Sequence, residues 1–121
     1  MPNPYGAPEI TVQELSQLRL EKPGELLVID VREPFELSLA CLSGEDVIGV
    51  PLSELSQRGL AVWPEKLASK SRPLAILCHH GIRSAQVSIW LLQQGFENVR
   101  SVAGGIDQYA QEIDPSVGAY E

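Results

Sequence analysis

The segment Cys78-His79-His80-Gly81-Ile82-Arg83-Ser84 concentrates the reactive side chains of this chain. It follows Leu74-Ala75-Ile76-Leu77, a short apolar run after Pro73 that reads as a buried strand, and precedes Ala85 to Leu92, which reads as a helix. The thiol therefore stands where a strand ends and a helix begins. A helix N-terminus exposes unpaired N–H groups and carries partial positive charge, which favours an anion and so the nucleophilic form of a thiol. A cysteine at a strand end is most often a small buried hydrophobe. Three neighbours argue for chemistry instead. Gly81 lets the backbone curl with its N–H groups inward, Arg83 adds a permanent cation suited to oxyanions, and Ser84 is expected to cap the following helix. His79 and His80 either add charge and hydrogen bonds or are solvated loop residues. A thiolate in such a cradle performs covalent catalysis without a separate base.

The remaining residues bound the possibilities. The chain has 121 residues, 44% of them hydrophobic and 21% charged, which suits one globular domain. A net charge of −7 disfavours nucleic acid and anionic membranes as partners. The apolar runs are too short to span a bilayer. Met1 to Pro8 lacks the basic and apolar regions of a signal peptide and reads as an irregular arm before a domain at 9–121. Two cysteines, Cys41 and Cys78, are too few for a disulfide framework and suit a reducing, cytoplasmic setting. Cys41 reads as a half-buried helix residue. With two histidines, adjacent in the chain, no metal-ligand spacing is present, and no cofactor is implied.

Elements must position the cysteine. Ile10 begins a first short element, and Thr11-Val12-Gln13-Glu14 has capping-box spacing for a helix to about Leu20. Lys22-Pro23-Gly24 is a turn, and Leu26 to Val31 is a near-continuous apolar strand. A short helix is expected from Phe35 to about Ala40, a turn at Ser43 to Asp46, and a strand from Val47 to Val50. Helical pieces follow at Ser53 to Arg58 and from Pro64 to Ser69, with Trp63 and Trp90 expected in or at the edge of the core. After the Leu74–Leu77 strand comes a helix from Ser84 to Gln94, ended by Gly95. Asn98 to Val102 is the last strand; Gly104-Gly105 turns it into a helix at Ile106 to Ile113, which Asp114-Pro115 ends. Alternating strands and helices predict an α/β fold, with a central, mostly parallel five-stranded sheet flanked by helices on both faces. The site then lies at the carboxyl ends of the strands, where Asp30 and Cys78 both fall.

The Cys78 loop, Asp30-Val31-Arg32-Glu33 and Gly104-Gly105-Ile106 together resemble a single-domain rhodanese, and the resemblance runs from about Glu9 to Glu121. The end of the chain is similar both to stand-alone rhodaneses and to rhodanese domains joined to adenylyltransferases. One departure is Ala40-Cys41-Leu42-Ser43-Gly44-Glu45, where the family usually has a His-Ile-Pro-Gly-Ala-like stretch. The resemblance implies a sulfurtransferase. Cys78 would take the outer sulfur of thiosulfate or a related anion, and a thiol or cyanide would accept it. His79, His80, Gly81, Ile82, Arg83 and Ser84 would bind the donor and the persulfide. Asp30 and Arg32 read as a structural ion pair beside the site. The alternative is a sulfur-relay module that works between a protein donor and a protein acceptor. A cysteine phosphatase or arsenate reductase is disfavoured, because their loops place one more residue between cysteine and arginine, and a shorter loop encloses a smaller anion.

Overall fold

The computed structural model describes residues 7–22, 25–32, 46–59, 73–78 and 82–113. The expected turns at Lys22-Pro23-Gly24 and Ser43 to Asp46 lie wholly or partly outside these residues. So do the helices expected at Phe35–Ala40 and Pro64–Ser69, together with Cys41, Trp63, His79, His80, Gly81 and the Asp114-Pro115 terminus.

Five strands form one sheet: β1 (Glu9–Ile10), β2 (Leu27–Asp30), β3 (Val47–Gly49), β4 (Leu74–Leu77) and β5 (Val99–Val102). Their order is β1-β5-β4-β2-β3, and every pairing is parallel. The strand carrying the cysteine is therefore central. Among the described residues four helices connect or follow the strands: α1 (Val12–Glu21), α2 (Leu52–Arg58), α3 (Ile82–Gln93) and α4 (Gly105–Glu112).

Side chains alternate across a strand with a period of two, so a sheet covered on both faces needs apolar residues at every position. β4 meets this requirement at all four positions and β2 at its first three, and both strands are buried throughout; Asp30, the last residue of β2, is buried as a charged side chain. On one face Val28, Ala75, Leu77 and Val102 pack against Val12 and Leu15 of α1 and against Ile106 and Tyr109 of α4. On the other, Leu27, Ile29, Leu74, Ile76 and Val99 pack against Leu55 of α2 and Val87 and Leu91 of α3. Trp90 is partly buried at the edge of this second layer. Each large aliphatic side chain buried this way contributes roughly 1.5–3 kcal/mol.

Local signals set the start of α1 and the end of α3 where the chain predicts. Thr11 caps α1: its hydroxyl accepts from the Glu14 N–H at 3.1 Å, and the Glu14 carboxylate accepts from the Thr11 N–H at 3.0 Å. The Thr11 backbone N–H foremost, and the Thr11 hydroxyl after it, hold the pKa of the Glu14 carboxyl below its ordinary value. Gly95, at φ 99°, closes α3. The Gly95 N–H reaches the Leu92 carbonyl and the Phe96 N–H reaches that of Leu91, while Phe96 and Leu91 share the apolar layer. These are the bonds and the contact of a Schellman motif. Arg19 of α1 bonds both carboxylate oxygens of Asp46, at 2.7 and 3.0 Å, and the Tyr109 hydroxyl at 3.3 Å. It thereby joins α1 to the start of β3 and to α4, and the Asp46 bond raises the pKa of its guanidinium further.

Candidate active site

Period two decides where Cys78 points. Leu74 and Ile76 face α3, and so does Cys78, immediately past the end of β4. Its side chain is 1% exposed. The sulfur lies against the first turn of α3, where it accepts the Ser84 N–H at 3.3 Å and lies 3.3 Å from the Ser84 hydroxyl.

Ser84 corrects the expectation drawn from the chain. It does not cap α3 from outside; the helix begins at Ile82 and contains Ser84 as its third residue. The third amide of a helix has no partner within the helix and commonly takes a side-chain oxygen from the cap. Here the Cys78 sulfur is that acceptor. The Ser84 hydroxyl is then free for a second bond, to the Ser101 hydroxyl at 2.7 Å. Ser88, one turn further on, donates to the Ser84 carbonyl at 2.7 Å. Ser84, Ser88 and Ser101 are all fully buried.

The backbone of Cys78 is fixed from the opposite side. Its carbonyl accepts the Ile106 N–H at 2.8 Å. Gly104 and Gly105, at φ 76° and 62°, turn the chain from β5 into α4 and bring Ile106 there. Only glycine suits the first of these positions: a Cβ on Gly104 would lie 2.1 Å from the Gln108 Oε1 and 2.7 Å from its Cβ. The expected helix start at Ile106 thus moves to Gly105.

Asp30 ends β2 in register with Leu77, the residue before the cysteine. Its carboxylate accepts three bonds from Arg32: the Nε at 2.9 Å, an Nη at 2.7 Å and the backbone N–H at 3.1 Å. The residues are 2% and 1% exposed. Next along, the Val31 N–H bonds the Leu77 carbonyl at 3.0 Å and the Leu52 N–H bonds that of Val31 at 2.9 Å. The ion pair therefore shapes the bend by which the chain leaves the sheet beside Cys78.

Of the residues singled out from the chain, Cys78 and Ser84 are in direct contact, and Asp30 and Arg32 form a neighbouring pair. Arg83 is the second residue of α3 and half-buried. Ile82 opens the helix, and His79, His80 and Gly81 lie outside the described residues. Ser101 was not among the expected site residues. Its signal was a lone hydroxyl in a strand of otherwise inward apolar positions, since a buried hydroxyl must find a partner. Among the described residues no buried side-chain nitrogen or oxygen lacks one, and no helix is long and apolar enough to cross a membrane.

The model of the rhodanese-like domain matches residues 11–112. A chloroplastic rhodanese-like/PpiC domain-containing protein of Arabidopsis thaliana is 38% identical over 93% of this chain, which spans 37% of that protein's length. A sulfurtransferase of Allochromatium vinosum is 31% identical over 90% of this chain and 94% of its own. Among solved structures, a rhodanese-related protein of Thermoplasma volcanium superposes with a TM-score of 0.65 at 30% identity, over 88% of this chain and 93% of that one. A parallel sheet with this architecture, matched in sequence over nearly its whole length, makes the chain a member of the rhodanese-like sulfurtransferase family.

Proposed function

We propose that this chain moves sulfane sulfur through a persulfide on Cys78, within a domain spanning residues 9–121. The observation that carries the reading is the position of the sulfur: at the carboxyl end of the central strand, receiving the N–H of the first turn of α3. A thiolate there forms a bond to the outer sulfur of thiosulfate. The S–S bond of thiosulfate breaks, and sulfite leaves with the bonding pair. The persulfide keeps one negative charge, which the N-terminal end of α3 stabilises. A thiol or cyanide then takes the outer sulfur, and the Cys78 thiolate is restored. Two half-reactions through one covalent intermediate give ping-pong kinetics.

Arg83 is the proposed contact for the sulfonate end of the donor, with His79, His80, Gly81 and Ile82 completing the loop around it. Thiol chemistry of this kind needs a reducing compartment, and the cytoplasm is the one we propose.

Intact mass spectrometry after mixing with thiosulfate tests the reading, with Cys78→Ser alongside. A gain of about 32 Da on the wild type alone establishes the persulfide route. A gain on both proteins refutes Cys78 as the carrier. No gain on either refutes thiosulfate as donor and leaves the relay reading, in which a cysteine desulfurase would supply the sulfur.

A further inference from the structure

We propose that Ser101 is a positioning residue for the Cys78 sulfur, acting through the Ser84 hydroxyl; the proposal rests on Cys78 being the sulfur-carrying group. Three atoms form a short chain: Cys78 Sγ and Ser84 Oγ at 3.3 Å, then Ser84 Oγ and Ser101 Oγ at 2.7 Å. Cys78 is 1% exposed and both serines are fully buried, so neither hydroxyl can turn to bulk water.

Ser84 has one hydroxyl proton for two neighbours, and this gives the chain a direction. When the sulfur is a neutral thiol it donates to Ser84, and either hydroxyl of the Ser84–Ser101 pair can then donate to the other. When the sulfur is an anion it has no proton to give. Ser84 must then donate to sulfur and accept from Ser101. The Ser101 proton is therefore what holds the Ser84 proton on the anionic sulfur. Hydrogen bonds to a charged group are the stronger ones, so this orientation matters most when the sulfur is reactive.

The fold fixes Ser101 for this role. It lies in β5 in register with Ile76 on one side and with Glu9 of β1 on the other. Its N–H bonds the Pro8 carbonyl at 2.8 Å. It shares the face of Val99, the α3 side of the sheet, to which Cys78 also points. A serine one residue away along the strand would face α1 and α4 instead.

The test is a double-mutant cycle on thiol reactivity. Wild type, Ser101→Ala, Ser84→Ala and the double variant are treated with iodoacetamide. Modification is followed on the Cys78-bearing peptide, so that Cys41 does not contribute. Ser101→Ala is expected to slow alkylation about three- to tenfold, the range of one weakened hydrogen bond to an anion. In the Ser84→Ala background the same change is expected to slow it by less than about 1.5-fold, because the route to sulfur is already gone. An equal slowing in both backgrounds, or an unchanged rate in Ser101→Ala alone, overturns the proposal. If Ser101→Ala fails to melt cooperatively, Ser101→Cys replaces it, keeping the volume with a weak donor, and the same two comparisons apply. Iodoacetamide carries no sulfur, so this result stands or falls independently of uptake from thiosulfate.

Discussion

Replacing Arg32 by methionine probes the buried charge beside the site. The change keeps much of the side-chain volume and removes two of the three bonds to the Asp30 carboxylate, those at 2.9 and 2.7 Å. The third, from the backbone N–H of residue 32, survives. Asp30 is 2% exposed, so water cannot replace what is lost. Removing one member of a buried pair typically costs about 3–5 kcal/mol, because the other charge stays behind unpaired. Unfolding entropy near 2.1 cal/mol/K per residue, over a chain of 121 residues, makes each kcal/mol worth about 4 °C in Tm. Arg32→Met should therefore lower Tm by about 12–20 °C in a circular-dichroism melt. Adding Asp30→Asn removes the stranded charge while keeping an acceptor for the surviving N–H, and should recover part of the loss. A single variant within about 4 °C of wild type would refute the reasoning. So would a double variant less stable than the single one.

Other outcomes follow from the same structure. Arg83→Ala should raise KM for thiosulfate about tenfold, the loss of one charge-assisted contact, with less effect on kcat; an unchanged KM removes Arg83 from donor binding. Glu14 is held below its ordinary value of 4.5, so the stability it contributes is present above that pH and is lost as pH falls through its folded-state value. The stability gap between wild type and Glu14→Gln, from denaturant melts at pH 7 and pH 3, should accordingly shrink at the lower pH, and a constant gap would refute the linkage.

The architecture was readable because its signals are local and mutually consistent. The apolar runs Leu26 to Ile29 and Leu74–Leu77 are what a sheet covered on both faces requires, and the Thr11–Glu14 spacing marks α1. The start of α3 departs from the expectation because Ser84 is a common capping type, whereas the helix begins at Ile82. The chain alone does not reveal that a sulfur six residues earlier takes over as acceptor for its amide. Ser101 escaped for a related reason. Its partner Ser84 is seventeen positions away and meets it only once β5 lies beside β4. Contacts between neighbours in sequence can be argued from residue types, whereas contacts made by strand order need the topology.

The strand order also sets a timetable. β4, with Cys78 at its end, leaves the ribosome before β5, which brings the second hydroxyl, and before Ile106, which pins the Cys78 carbonyl. β1, made before the other four strands, must wait for β5, since Glu9 pairs with Ser101 across almost the whole domain. Loop closure over such a separation is slow, and pairing of this kind comes late in folding. During synthesis the thiol therefore exists before its surroundings do. In that interval it is an ordinary cysteine, open to any electrophile or oxidant and not yet held by the groups that would make it selective. A stalled or truncated chain ending before β5 would remain in that condition, so quality control of this protein is also protection of its sulfur.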